Sequence, residues 1–140
     1  MSFPGSFNSK SVFGEDGINL KVETNDSTSG SSWKTYANVT LTVTDSSEDN
    51  TYRINADFLW GHDSASNDIR VRLRIDGNSE KEILIEPKDA GNDQRIQNNI
   101  LLYLTNLSEG GHTIRLQYKP KNSNRVSKMY RAEIEAWRTK

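Results

Sequence analysis

The sequence predicts an all-β protein, built as an antiparallel β-sandwich of about eight strands. Short segments in which apolar and polar residues alternate recur along the chain, and a period of two is typical of strands with one buried and one wet face. Clusters of Asp, Asn, Ser and Gly separate these segments, as turns do in sandwiches and barrels. The 140 residues contain no cysteine, so we expect one domain whose core forms without disulfides.

Eight segments carry the strand pattern. They are residues 18–24, 37–44, 52–60, 69–75, 81–86, 96–104, 110–120 and 129–137. The seventh shows the pattern most clearly, because Ile114, Leu116 and Tyr118 alternate with polar residues. Residues 94–104 also fit a helix, although the apolar run at 100–104 suits a buried strand equally well.

The fourth and fifth strands are predicted to form a hairpin. Inward faces must match, because a slip of one residue turns every side chain over. Pairing Leu73 with Ile83 and Val71 with Ile85 satisfies this rule. A loop of about three residues at 77–79 then closes the turn.

Arg70, Arg72 and Arg74 form a stripe on the outward side of the fourth strand. The predicted hairpin sets Arg74 opposite Glu82 and Arg70 opposite Glu86, and such opposed charges stabilise a sheet. Cross-strand pairing is therefore the favoured interpretation of the stripe. The alternative is a surface that binds an anionic glycan, a phosphate or an acidic partner.

Residues 1–17 show no periodicity and are predicted to form an extended N-terminal arm in front of a single domain at 18–140. Phe3, Phe7 and Phe13 are the apolar points of this arm. Two interpretations stay open: the arm docks onto a virion protein or a neighbouring subunit, or it covers the open end of its own sandwich.

We expect no enzyme activity, no metal and no cofactor. The two histidines, His62 and His112, are far apart in sequence and have no companion ligands at metal-site spacing. His112 opens a strand and is expected to be structural, whereas His62 is expected in a solvated loop. The acidic residues gather in turns without an EF-hand pattern, and no Gly-X-Ser-X-Gly elbow is present.

The candidate ligand-binding residues are Trp60, His62 and Asp63, because exposed indoles stack on sugar rings. Trp60 also follows the inward register of its strand, which favours a place in the core or at its rim. Trp137 falls on the face opposite Ile134 and is the best candidate for a buried subunit contact.

The balanced charge of −1 predicts no nucleic-acid partner. No apolar run approaches the roughly 20 residues that span a bilayer, so no membrane insertion is expected. The first residues do not have the charged start and apolar stretch of a signal peptide.

The closing stretch, Gly-Gly-His-Thr-Ile-Arg-Leu-Gln-Tyr-Lys at 110–119, a polar loop with Asn124-Arg125 and a last strand, resembles jelly-roll modules of tailed-bacteriophage virion proteins. Residues 52–58 are similar to the third strand of such modules. The resemblance covers roughly residues 33–137. It implies a jelly roll like that of tumour necrosis factor, as found in fibre, knob and capsid-decoration proteins.

The resemblance implies that only the fourth and fifth strands form a tight hairpin within one sheet. The seventh and eighth strands would lie in opposite sheets, so that Ile114 and Ile134 meet across the core. Arg115, Glu133 and Trp137, on the outer sides of these strands, become candidates for subunit or virion contacts.

The function implied is that of a non-enzymatic virion structural protein. It would be assembled in the host cytoplasm as a homo-oligomer, a trimer above other states, with phage capsid or tail proteins as partners and host-surface glycans as a further candidate. Two alternatives stay open: a carbohydrate-binding β-sandwich module that uses Trp60, His62 and Asp63, and an immunoglobulin-like adhesion domain.

Overall fold

The computed structural model describes residues 17–44, 50–62, 68–85 and 95–140. These residues form nine strands and no helix. The strands are β1 (Gly17–Val22), β2 (Asp26–Thr28), β3 (Lys34–Val43), β4 (Thr51–His62), β5 (Ile69–Ile75), β6 (Asn78–Ile85), β7 (Ile96–Thr105), β8 (Gly110–Pro120) and β9 (Ser127–Arg138). The predicted arm, with Phe3, Phe7 and Phe13, lies outside the described residues except for Gly17, which begins β1.

The strands form two antiparallel sheets that pack into a sandwich. Sheet A has the order β1-β9-β4-β7, with β2 also paired to β9, and sheet B has the order β3-β8-β5-β6. From β3 onward the chain changes sheet at every connection except that between β5 and β6. This order is that of a jelly roll, so the predicted fold class is confirmed.

Strands β5 and β6 form the expected hairpin, but the predicted register is wrong by two residues. Val71 pairs with Ile83 and Ile69 pairs with Ile85. The cause is the dipeptide Asp76-Gly77, whose φ angles of 52° and 88° lie in the left-handed region that a two-residue hairpin turn requires. Strand β6 therefore begins directly after Gly77, and the inward faces still match.

The core lies between the two sheets and is filled by apolar side chains from both. Ile114 of β8 and Ile134 of β9 lie in opposite sheets and are fully buried, as expected. Burying a large apolar side chain contributes roughly 1.5–3 kcal/mol. The largest side chains that are fully buried are Trp60, Tyr52, Tyr118, Phe58, Leu41, Ile54, Ile69, Leu73, Ile100, Ile114, Leu116 and Met129.

The short strand β2 lies within the segment that the sequence predicted to be a turn, because three residues give too little pattern to recognise. Asp26 holds it in place, accepting hydrogen bonds of 2.8 Å from Lys34 Nζ and from the Tyr118 hydroxyl. Burial opposes ionisation of Asp26, but these two donors outweigh it and lower its pKa. Burial and the neighbouring Asp26 carboxylate raise the pKa of Tyr118.

Candidate interaction surfaces

The predicted ligand-binding residues Trp60 and His62 lie in the interior. Both have no exposed surface, and their ring centroids are 5.8 Å apart. The Trp60 indole donates a hydrogen bond of 2.9 Å to Asn98 Oδ1. A side chain in this position has no face on which a sugar ring could stack, and Asp63 lies outside the described residues.

The expectation that His62 sits in a solvated loop is wrong. Strand β4 continues through Gly61 to His62, which pairs with Ser127 of β9. A backbone in a sheet keeps the alternation of its side chains, but β4 and β9 have an irregular register next to Trp60. The result is that Trp60, Gly61 and His62 are all buried.

His112 is structural, as expected. Its Nδ1 contacts the carboxylate of Asp76, and its Nε2 lies 2.7 Å from the Ser108 carbonyl oxygen. Burial acts to lower the pKa of His112, but the Ser108 carbonyl and the Asp76 carboxylate together raise it above the ordinary value of 6.5. This contact ties the β5–β6 turn to the start of β8.

Cationic side chains gather on the outer surface of sheet B, which we name the cationic face. Alternation along β5 and β8 points these side chains away from the core, and the antiparallel pairing of the two strands brings them together. Arg70 lies opposite Lys119, and Arg74 lies opposite Arg115. The members of the cationic face are Arg70, Arg72, Arg74, Arg115 and Lys119.

Cross-strand pairing accounts for part of this face among the described residues. Arg70 forms an ion pair of 3.5 Å with Glu82, and the two side chains are 40% and 41% exposed. A solvent-exposed pair of this kind contributes about 0–1 kcal/mol. The predicted pairing of Arg74 with Glu82 is wrong, because the register places Arg72 opposite Glu82. Glu86, the predicted partner of Arg70, lies outside the described residues.

Arg72 is held at the centre of the cationic face. Its Nε donates a hydrogen bond of 2.7 Å to Gln117 Oε1, and Gln117 in turn donates one of 2.9 Å to Thr35 Oγ1. Its guanidinium lies 4.3 Å from the centroid of the Trp33 ring, and Lys119 Nζ lies 4.7 Å from the same centroid. Cations over an aromatic ring are stabilised by its quadrupole, so Trp33 holds both in position.

Arg74 and Arg115 face each other as like charges. Directly opposed like charges destabilise a sheet. Burial lowers the pKa of Arg72, and the neighbouring Arg74 lowers it further, while Glu82 opposes both effects. Within the described chain, the buried Nε of Arg74 has no hydrogen-bond partner. The cationic face therefore carries more positive charge than its own carboxylate neutralises.

The outer surface of sheet A carries a different arrangement, which we name the aromatic row. Trp137 pairs with Arg53, and Arg53 pairs with Tyr103 on the next strand. The Arg53 guanidinium lies 4.7 Å from the centroid of the Trp137 ring. The Tyr103 side chain is 56% exposed at the edge strand β7. The aromatic row is thus an accessible strip of two aromatic rings and one cation.

Beside the aromatic row, charges of both signs are mixed. Asn19 Nδ2 donates hydrogen bonds of 2.7 Å to Glu133 and 3.3 Å to Glu135. Glu133 also lies opposite Lys21 on one side and Asp57 on the other. A shallow depression of about 230 Å³ is lined by Lys21, Glu23, Asp57, Gln97, Arg131 and Glu133. This region is close to neutral overall.

Arg115 lies on sheet B, whereas Glu133 and Trp137 lie on sheet A. The three predicted contact residues therefore do not form one surface. In the described part of the chain, no group of three or more His, Cys, Asp or Glu side chains is arranged to hold a metal ion. No helix among these residues is long and apolar enough to cross a membrane.

The sequence indicated the arginine stripe but missed the residues that organise it. Trp33 lies in a connection before β3 that has no periodic pattern, and Gln117 looks like any outward residue of β8. Their roles depend on the order β3-β8-β5, which joins segments far apart in sequence. Only the strand order could have revealed them.

No protein-family model and no curated protein matches this chain. Solved structures do share its fold. A structure of the infectious bursal disease virus Gx strain has a TM-score of 0.57 at 6% identity, covering 86% of this chain and 32% of that one. The VP2 subviral particle of the same virus has a TM-score of 0.51 at 8% identity, covering 85% and 32%.

Two further solved structures are similar to this chain. Dimeric latent PorU from Porphyromonas gingivalis has a TM-score of 0.54 at 8% identity, over 87% of this chain and 13% of that one. A CBM36-1 domain of a multidomain xylanase, from the hindgut metagenome of Trinervitermes trinervoides, has a TM-score of only 0.42 at 14% identity, over 85% and 96%. This chain spans about a third or less of the virus and PorU chains, and these likenesses show the fold alone.

Proposed function

We propose that this chain is a non-enzymatic structural module of a tailed-bacteriophage virion, which assembles as a homo-oligomer, most simply a trimer. The jelly-roll order of its strands supports this function, as does the likeness in fold to chains from virus particles. In this function residues 1–17 contact capsid or tail proteins or a neighbouring subunit. The outer faces of the sandwich serve as the binding surfaces.

The aromatic row is the observation that carries the proposal of self-association. Trp, Tyr and Arg are the residues that most often dominate the energy of protein interfaces, and this row combines all three. Tyr103 lies on the edge strand β7, where it is 56% exposed. Burying an exposed aromatic ring against a second copy would remove apolar surface from water, which favours association.

The oligomeric state tests this proposal. Light scattering of the wild-type chain over a range of concentrations should give a species larger than one chain. Tyr103→Glu places a charge in the proposed contact and should shift the population to monomer. Leu84→Glu is the matched control, since Leu84 is a similarly exposed apolar residue, at 48%, on edge strand β6 of the other sheet. A wild-type chain that stays monomeric at high concentration contradicts the proposal.

The virion assignment needs its own test. Antibodies against the chain should label purified particles of the phage that encodes it, and the protein should co-purify with capsid or tail proteins. Deletion of residues 1–17 should abolish that co-purification while the sandwich still folds. Failure of labelling, with the protein found only free in the lysate, contradicts a structural role in the virion.

Glycan binding is a second candidate function. The cationic face favours it, in place of the buried Trp60.

A further inference from the structure

We propose that the cationic face binds an acidic polysaccharide, a linear glycan that carries carboxylate or sulfate groups. Arg72, Arg74 and Arg115 form the centre of the site, and Arg70 and Lys119 extend it along β5 and β8. This inference deepens the second candidate function and rests on it. It does not depend on self-association through the aromatic row.

The charges of the cationic face favour an anion. Arg74 lies directly opposite Arg115, and Arg72 lies two residues along the same strand. Burial lowers the pKa of Arg72, and repulsion from Arg74 lowers it further, while Glu82 opposes both effects. An anion that binds between them neutralises this repulsion and forms charge-assisted hydrogen bonds with guanidinium groups, which are shaped to hold carboxylates and sulfates.

The shape of the cationic face favours a linear polymer. Arg70, Arg72 and Arg74 alternate along one strand, so their backbone positions are about 7 Å apart. The strand β8 beside them, about 5 Å away, adds Arg115 and Lys119. The cations therefore form an open strip on a sheet surface. Such a strip suits a linear polymer with repeated negative charges better than a single small anion, which a closed pocket would hold.

Nucleic acid fits the cationic face less well than an acidic glycan does. Single-stranded nucleic acid is held by a cationic groove together with aromatic rings on which bases stack. Among the described residues of the cationic face, the aromatic ring is that of Trp33, and Arg72 and Lys119 already lie within 5 Å of its centroid.

An acidic protein also fits the cationic face less well than an acidic glycan does. The centre of a protein interface is usually rich in apolar anchors. Here the centre consists of Arg72, Arg74 and Arg115, and the exposed apolar residue Leu84 lies at the margin, opposite Arg70. A polar surface of cations and amides matches a sulfated or carboxylated glycan.

Calorimetry and affinity chromatography test the proposal with four probes: heparin, polygalacturonate, neutral dextran and a DNA duplex. The wild-type chain should bind heparin, polygalacturonate or both, should not bind dextran, and should bind DNA more weakly. Binding should weaken as salt is added, because the contacts are ionic. Heparin alone identifies sulfate as the preferred group, and polygalacturonate alone identifies carboxylate.

The double variant Arg74→Gln/Arg115→Gln should lower the affinity about tenfold or more, since each charged hydrogen bond lost costs close to that factor. The matched control is Lys21→Gln/Arg131→Gln, which removes the same charge from sheet A and should change the affinity little. Circular dichroism and thermal melts check that both variants are folded.

Three results would overturn the proposal: no binding of either acidic glycan, equal losses in the two double variants, or DNA binding as tight as heparin binding. The monomer-forming variant Tyr103→Glu separates this proposal from that of self-association. It should still bind acidic glycan, with lower avidity. If Tyr103→Glu stays oligomeric and still binds acidic glycan, the proposed subunit contact is wrong and the proposed glycan site is supported.

Discussion

The two outer faces of the sandwich have the same backbone pattern but opposite electrostatic character. On sheet A, Glu133 lies opposite Lys21 and accepts a hydrogen bond from Asn19, and Asp57 on its other side accepts one from Asn55, so charges of both signs and polar donors are mixed. On sheet B, Arg74 lies opposite Arg115, and cations outnumber carboxylates. Charges that have partners of opposite sign or polar donors stabilise the fold. Like charges without such partners destabilise it, unless an ion of opposite sign binds between them.

The two sheets also differ in how their ends are fixed. Asn50 is fully buried at the end of sheet A, where its side chain donates to the Leu107 carbonyl and accepts from the Leu107 amide, both at 2.8 Å. At the end of sheet B the equivalent link is His112 with Asp76. The first link cannot titrate near neutral pH and the second can, so the two ends should respond differently to pH.

The largest loss of stability is expected when the hydrogen bonds of Asn50 to Leu107 are removed. Asn50→Ala removes two hydrogen bonds and leaves partly buried backbone groups of Leu107 unsatisfied, so the free energy of unfolding should fall by about 1–3 kcal/mol. Urea denaturation measures this. The link joins the segments before β4 and after β7, so self-association should also weaken while heparin binding stays unchanged.

Asn38→Ala is the matched control, because Asn38 is exposed on the outer surface of sheet B. Its effect on the free energy of unfolding should be within about 0.5 kcal/mol. Equal losses in the two variants would contradict the assignment of Asn50 as an anchor of sheet A.

The same change of charge, made on each of the two faces, should have opposite effects on the free energy of unfolding. Arg115→Glu places a carboxylate opposite Arg74 and should raise the free energy of unfolding by about 0.2–1 kcal/mol. Lys21→Glu places a carboxylate opposite Glu133 and should lower it by a similar amount. Urea denaturation of both variants should therefore give changes of opposite sign. Changes of the same sign would mean that repulsion between the like charges on sheet B does not destabilise the fold.

The fold was largely predictable from the sequence because burial imposes a period of two on every strand. Tyr52, Ile54 and Ile114 follow this period and are buried as expected. Matching inward faces alone predicts the wrong hairpin register, because it does not take the turn into account. Asp76-Gly77 is a strong signal for a two-residue turn, and it alone would have fixed the register.

The candidate surfaces were less predictable, because they depend on which strands become neighbours. Arg74 and Arg115 are far apart in sequence, and only the pairing of β5 with β8 brings them together. The sequence predicts a loop at His62 because Gly61 before it is typical of turns. In the structure, His62 is buried inside β4. Sequence patterns show which side of a strand faces solvent. They do not show which side chains of the neighbouring strand lie beside it.

A smaller effect is expected from pH. The pKa of His112 is raised in the folded protein, so the folded state holds this proton more tightly than the unfolded chain does. The stabilisation is complete below the ordinary pKa of 6.5 and is lost as the pH rises through the raised value. Urea denaturation should therefore give a lower free energy of unfolding above that range. His112→Gln should flatten this slope, and Asn50→Ala should preserve it; an unchanged slope in His112→Gln contradicts the assignment.

The smallest effect on the stability of the fold is expected from salt. The direction of this effect shows whether repulsion or attraction dominates among the charges of each face. Raising the ionic strength from about 0.01 M to 0.15 M shortens the Debye length from about 30 Å to 8 Å, which screens repulsion and attraction alike. Screening on the cationic face should stabilise the fold, and screening of the attraction between Lys21 and Glu133 on sheet A should destabilise it. Thermal melts of Arg115→Glu should therefore lose the stabilising response to salt, while those of Lys21→Gln, which lacks the attraction to Glu133, should show it more strongly than wild type. If both variants respond to salt as the wild-type chain does, the repulsion among Arg72, Arg74 and Arg115 is already screened by water, and an anion would gain little by binding there.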